Sequence, residues 1–234
     1  MKIAMWSGPR NLSTAMMYAF AARGDCAVRD EPFYAAFLAA SGSAHPMAGT
    51  VMAGHETDPL RVAEACAAPP PDGHAHLYMK HMPHHMLPEF PLGWAEGCVH
   101  AHLIRHPARV LASYSAKHDK VNYEEIGFDQ QAAFYEMFPG PVVDSADIRR
   151  DPAAMLSRLC AEIGLPFTER MLSWPAGPKP FDGAWGPHWY GAVHRSTGFA
   201  PAEGPLPPVA PEHADHVARA LPVYEALAAR AIRP

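Results

Sequence analysis

The residues of this chain that could do chemistry fall in segments that each follow a short apolar run. The first segment is Ser7, Gly8, Pro9, Arg10, Asn11, Leu12, Ser13 and Thr14, placed between Ile3-Ala4-Met5 and a run with helical spacing. Gly8 and Pro9 break the apolar run, and Ala15, Met16, Ala19, Phe20 and Arg23 fit one amphipathic helix. Ser13 or Thr14 is a suitable cap for it. A strand, a glycine turn and a helix aim unpaired N–H groups and the positive end of a helix dipole at one spot, which favours phosphate or sulfate. The spacing approaches G-x-x-x-x-G-K-[ST], but the second Gly and the Lys are missing, which disfavours an ordinary ATPase. A strand–turn–helix without a ligand accounts for this stretch equally well.

The other segments share the theme. Glu31 follows "CAVRD" (26–30), His81 follows "HLYMK" (76–80), and Arg105 and His106 follow "VHAHLI" (99–104), with Ser113 on the helix beyond. Ligands of open parallel sheets gather outside the strands' carboxyl ends, so these segments are brought together if the strands are parallel. Arg105 and Ser113, one at a strand end and the other on the next helix, can converge on one phosphate as charged and neutral donors, and a salt-bridging arginine with a buried helix serine is the alternative. His81 has the near-neutral titration that suits a general base, and Glu31 is placed for the same role. A cap or salt bridge for Glu31, and a surface position for His81, explain those residues as well.

The elements that must position these groups alternate. Strands at 2–5, 26–30, 76–80, 99–104 and "PVVDS" (141–145) are separated by helices from Ser13, from near Pro32, over "DPLRVAEACAA" (58–68), over "PHHMLPEF" (83–90), over "PARVLASYSAKH" (107–118) and over "DQQAAFYEMF" (129–138). A capped helix, "DPAAMLSRLCAEIGL" (151–165), follows. Residues 41–57 lack periodicity and read as a connector or lid. Alternation predicts an α/β fold with a central parallel sheet of about five strands, in one domain over 1–234. Its core spans 1–168, an aromatic, Pro/Gly-rich loop region 169–210 lies over the site, and a C-terminal helix, single and kinked at Pro222 or split in two, occupies 211–234.

Composition sets limits. A formal charge of −5 on 234 residues without a long Lys/Arg block argues against a dedicated nucleic-acid or membrane-surface protein. The four cysteines form no C-x-x-C pair and read as reduced core residues. Fifteen histidines invite a metal reading, but there is no H-E-x-x-H, and His100 with His102 lacks an evident third ligand; no metal is expected. No charged-then-apolar leader precedes the first strand and no stretch of about 18 apolar residues occurs, so the expectation is a soluble, cytoplasmic protein with no nucleic-acid or membrane partner. Oligomeric state is open.

Four separated segments resemble those of the sulfotransferases that use 3′-phosphoadenosine 5′-phosphosulfate (PAPS), a P-loop-like three-layer fold. Pro9, Arg10, Asn11, Leu12, Ser13 and Thr14 fall on the family's Pro-(Lys/Arg)-Ser-Gly-Thr-Thr loop, with departures at Asn11 and Leu12. "HLIRHPARVLASYSAKH" is similar to its Arg-Asn-Pro-x-Asp-x-x-x-Ser segment, which places Arg105 and Ser113 on the donor's 3′-phosphate. "MKHMPHHMLPE" resembles Lys-Thr-His-Leu-Pro, which puts His81 at the base, whereas other branches use a Glu, as Glu31 would be. "VVDSADIRRDPAAMLSRLCAEIGLPF" resembles the later strand, acidic turn and helix, and Arg195 of "HWYGAVHRSTGF" stands where the family has a basic loop without reproducing its Arg-Lys-Gly. A bacterial and plant group with similar "GPRNLST" and "HRSTGF" stretches carries a branched-chain aminotransferase-like label, yet nothing here specifies a pyridoxal-phosphate lysine.

The resemblance implies transfer of a sulfuryl group from PAPS to a hydroxyl or amine of a small-molecule acceptor, leaving adenosine 3′,5′-bisphosphate. Arg10 would stabilise developing charge, and His81 or Glu31 would take the proton. The rivals are a nucleotide-dependent, kinase-like phosphotransferase, which the missing Lys disfavours, and a nucleotide-binding module without turnover.

Overall fold

In the computed structural model, which describes residues 1–116 and 121–234, a five-strand sheet runs through the molecule in the order β2-β3-β1-β4-β5. The strands are β1 Lys2–Ser7, β2 Cys26–Asp30, β3 His76–His81, β4 Val99–Ile104 and β5 Val142–Asp144, and every pairing is parallel. Central β1 buries each side chain from Ile3 to Ser7, as a strand covered on both faces must. Because β1 leads leftward to β2 whereas β4 and β5 lie on its other side, the strand order reverses at β1. The loop after β1 therefore opens at the place where such sheets bind ligands.

Helices cover both faces. Helix α1 (Ser13–Ala22) packs on β2 and β3. The chain then forms α2 (Tyr34–Ser41), α3 (Ala48–Gly54) and α4 (Pro59–Ala67) before β3. Between β4 and β5 come α5 (Pro107–Ser115), α6 (Tyr123–Ile126) and α7 (Phe128–Met137), and after β5 come α8 (Ser145–Arg150) and α9 (Pro152–Glu162). The aromatic region carries a 3-10 turn at Glu169–Leu172 and two short helical turns, α10 (Gly186–Trp189) and α11 (Gly191–His194), and α12 (Ala214–Ala228) packs on α5 and α7. Beyond it, Ile232 N donates to Val142 O, so the chain's last residues pair beside β5.

Several local expectations change. Helix α1 is buried nearly all round rather than amphipathic, because Trp174 and Phe181 of the aromatic region cover the side of Tyr18 that the sheet does not. Neither Ser13 nor Thr14 caps it: Leu12 holds the cap position with φ 76° and no side-chain hydrogen bond. The 41–57 connector contains α3, and 83–90 holds only a tight turn at Pro83–His85, since a proline also stands at position 88. Segment 141–151 contains α8, capped by Asp144, whose carboxylate accepts from Ala146 N. The terminal region is one helix with Pro222 inside it. The end of the 107–118 helix, at Lys117 and His118, lies outside the described residues. All four cysteines are free thiols, three of them buried. Among the described residues no helix is long and apolar enough to cross a membrane, and no cluster of three His, Cys, Asp or Glu side chains could hold a metal.

Candidate active site

A cavity of about 260 Å3 opens over the carboxyl ends of the strands, between the loop after β1, the turn after β3 and the aromatic segment. The loop is a strained one. Arg10 and Leu12 both take left-handed backbone angles, φ 65° and 76°, a conformation that side chains other than glycine rarely adopt. Asn11 Nδ2 donates to Leu103 O of β4 at 3.2 Å and pins the loop from below. Gly8 is fixed by close approach, because a Cβ there would lie 2.9 Å from Ile126 O.

On the β4 side the cavity wall is cationic. Arg10 Nε donates to Ser113 Oγ at 2.8 Å, and Arg105 Nη1 donates to Arg10 O at 2.7 Å, so three residues from three elements form one unit. Burial, and then the neighbouring Arg105 cation, lower the Arg10 pKa from its ordinary value. Two cations held this close favour an anion between them. Arg149, near the end of α8, lines the same wall.

On the β2–β3 side the wall is a buried charge cluster. Lys80 Nζ donates to Asp30 Oδ1 at 2.9 Å, Glu31 Oε1 at 2.6 Å and Tyr190 OH at 2.7 Å. The Tyr190 hydroxyl donates to the Asp30 carboxylate at 2.7 Å and accepts from Trp185 Nε1 at 2.7 Å. One ammonium thus serves two carboxylates, and a negative charge is left over. Burial raises the Glu31 pKa against the pull of Lys80. Burial works against the Lys80 charge, but Asp30 and Glu31 raise its pKa overall. Glu31 lines the cavity, itself at φ 42°, and its Oε2 lies 3.8 Å from His85 Nδ1.

The sequence candidates divide accordingly. Pro9, Arg10, Leu12, Ser13, Thr14, Glu31, Arg105 and Ser113 line the cavity. Ser7, Gly8 and Asn11 lie beneath the loop and shape it, and Arg195, exposed at the C-cap of α11, does not line the cavity. His81 is not brought to the cavity. Strand β3 runs through His81, and the pleat sends its side chain away from that of Lys80, into a cage where its ring centroid lies 4.8 Å from Trp6 and 4.6 Å from Trp94. Burial there pushes its pKa down to about 3. His100 and His102 are likewise spent on structure: His100 accepts from Trp6 Nε1, and His102 bonds Phe138 O and the Gln131 amide.

Lining residues that sequence reasoning did not select include Lys80, Arg149, Tyr34, Tyr114, His45, His84 and His85. For Lys80 a signal existed, since a lysine inside an otherwise apolar strand must meet a carboxylate when both faces of the sheet are covered. Tyr190 belongs to the aromatic region expected over the site, but its place in the charge cluster carried no local signal, because Lys80, Glu31 and Asp30 are 110, 159 and 160 residues away.

A cation-lined cavity over a five-strand parallel sheet, with a helix N-terminus opening into it, defines an α/β protein that handles anionic groups. Residues 1–231 match the family model described as Sulfotransferase domain, and the chain belongs to that family. Its fold is shared with the sulfotransferase domain from the curacin biosynthetic pathway, at TM-score 0.52 and 16% identity, over 99% of this chain and 98% of that one. Two Arabidopsis thaliana proteins, the branched-chain-amino-acid aminotransferase-like proteins 2 and 1, are 35% and 36% identical over 96% of this chain. The chain spans 41% of the length of each of those curated relatives.

Proposed function

We propose that this domain transfers a sulfuryl group from PAPS to a hydroxyl or amine of a small-molecule acceptor. The observation that carries the reading is the division of one cavity into a cationic wall, Arg10, Ser113, Arg105 and Arg149, and a facing wall with a proton-accepting carboxylate, Glu31. The donor's phosphates and sulfuryl group lie on the first wall, and the acceptor enters beside the second.

In the reaction the acceptor oxygen or nitrogen forms a bond to sulfur while the bond from sulfur to the donor's 5′-phosphate oxygen breaks. Negative charge grows on that leaving oxygen, and Arg10 with the loop N–H groups stabilises it, as fixed donors do in phosphoryl transfer. The acceptor's proton passes to Glu31. Burial raises the pKa of this carboxylate, which shares its lysine with Asp30, above the ordinary carboxylate value and makes it a stronger base. His81, caged among aromatic rings, has no path to the acceptor and serves the core.

The acceptor side is built of Tyr34, Met82, His84, His85, Trp189 and Val193, a largely apolar and aromatic lining that suits an acceptor with a ring or chain beside its reacting group. Calorimetric titration with adenosine 3′,5′-bisphosphate, ADP and ATP tests the donor site. Selective tightness for the bisphosphate is expected, followed by sulfuryl transfer from PAPS in an acceptor screen. Equal binding of the three, or preference for ATP, overturns the reading.

A further inference from the structure

Behind the cationic wall lies a contact that the reaction does not use. The Glu203 side chain is 4% exposed and ion-pairs with three arginines from two helices and a strand end: Arg105 through Nη2, Arg109 Nε at 3.1 Å and Arg149 Nη1 at 2.6 Å. Two of the three, Arg105 and Arg149, line the cavity. Around Glu203 the chain has no regular structure from 199 to 210, and Pro201, Ala202, Gly204, Pro205 and Leu206 are exposed. Glu203 alone of this stretch plugs into the arginines. Two further bonds, Arg149 Nε to Pro201 O at 2.8 Å and Arg109 to Gly204 O, hold the same segment down.

The carboxylate is an undersized partner for this cluster. Three guanidinium groups share one negative charge, and the fit is poor on both sides: the buried Arg105 Nε–H finds no acceptor, and Glu203 Oε2, though 3.1 Å from Arg109 Nε, makes no well-aligned hydrogen bond. A phosphate monoester, with up to two charges and three terminal oxygens, matches three forked donors better than a two-oxygen monoanion does. The cavity volume of about 260 Å3 also lies below the range usual for a drug-sized ligand, before any acceptor is added. We propose that Glu203 is an internal stand-in for the ligand's terminal phosphate: in the free protein it closes segment 199–210 across the arginine cluster, and the donor's 3′-phosphate displaces it on binding. This rests on the donor reading above. The segment acts as a strap, and its release couples donor occupancy to the opening of one wall of the site.

Two measurements test it with the intact chain. Calorimetry on Glu203→Gln should show adenosine 3′,5′-bisphosphate bound at least tenfold more tightly than by the unaltered protein, with ADP affinity unchanged, because only the 3′-phosphate competes with the carboxylate. Unchanged or weaker bisphosphate binding by the variant means that Glu203 positions the arginines, and the strap is wrong while the donor reading stands. If neither protein binds the bisphosphate, the donor reading fails and the strap fails with it. The second measurement needs no variant and decides the matter if Glu203→Gln does not fold. A glutamate-specific protease should cut slowly after Glu203 in the free protein and several-fold faster when the bisphosphate is added, with the fragment identified by mass. Slower cutting with the ligand present overturns the strap.

Discussion

Arg10 Nε and Ser113 Oγ meet at 2.8 Å although 103 residues separate them in the chain. The contact ties the loop after β1 to the helix after β4, so the two anion-binding segments are fixed to each other before any ligand arrives. Such preorganisation means that little reorientation is left for the moment of reaction.

Replacing Arg10 with Ala is therefore expected to lower turnover more than donor affinity. A donor facing charge on the leaving oxygen matters most in the transition state, and losing one costs about 10² to 10³ in kcat. Steady-state kinetics beside bisphosphate calorimetry measures the split. An unchanged kcat with a raised dissociation constant would reduce Arg10 to a ground-state anchor.

Arg105→Ala should weaken bisphosphate binding by about 1.5 to 3 kcal/mol, the scale of a charge-assisted hydrogen bond, and leave ADP almost unaffected. Arg149→Ala should move in the same direction, since it shares the wall. Equal losses for both nucleotides would make these arginines supports of the loop, acting through the Arg105 bond to Arg10 O.

How much of this was legible in the sequence depends on range. The parallel sheet and the loop after β1 were readable because short apolar runs, Gly8-Pro9 and the strand–helix alternation are local signals. Arg105 and Ser113 were readable too, being on one strand–helix unit. The choice between His81 and Glu31 was not, because the pleat decides it: one extra residue in β3 turns His81 toward Trp6 and Trp94 and leaves Lys80 to meet Glu31. Arg149, Tyr190 and Glu203 were hidden for a different reason. Each reaches its charged partners only through long-range packing, and no spacing in the chain encodes that.

The buried cluster yields a stability prediction. Lys80→Met leaves Asp30 and Glu31 without their cation in a site where Lys80 and Asp30 are each 1% exposed, and breaking such a pair costs about 3 to 5 kcal/mol. Adding Asp30→Asn to Lys80→Met should recover part of the loss, because one stranded charge is removed. Urea unfolding of the wild type and the two variants measures this. Full stability of Lys80→Met would show that the carboxylates reach solvent or protonate at no cost.

The base assignment separates two residues. Glu31→Gln is expected to cut kcat by about 10² to 10⁴ while bisphosphate binding is kept. His81→Ala should do the opposite, sparing kcat per folded molecule and losing about 2 to 4 kcal/mol of stability through the void left in the Trp6–Trp94–Phe33 cage. If His81→Ala is folded and inactive, the caged imidazole has a catalytic role that this geometry does not account for.

Acid should unfold the protein earlier than its carboxylates alone would. Burial holds His81 down to about 3 and His102 down to about 4, and it holds His85 well below its ordinary value, so all three are neutral in the fold. In the unfolded chain each takes a proton near pH 6.5, which means the unfolded state binds more protons and stability falls as pH drops below that point. Between about pH 6 and 4 each neutral histidine removes about 1.4 kcal/mol per pH unit. Glu31 works with the opposite sign: its raised pKa in the fold lets the native state take up a proton first, which adds stability as pH falls. One such group does not offset three. Against a total stability of about 5 to 15 kcal/mol, three such groups remove a large share between about pH 6 and 4. Urea titrations from pH 7 to 5 should show the loss, and His81→Phe, which keeps the aromatic cage filled without the titrating nitrogen, should flatten the slope by about 1 kcal/mol per pH unit on average over that range. A stability that stays level from pH 7 to 5 would mean these histidines gain protons inside the fold, and their burial would not be the acid trigger.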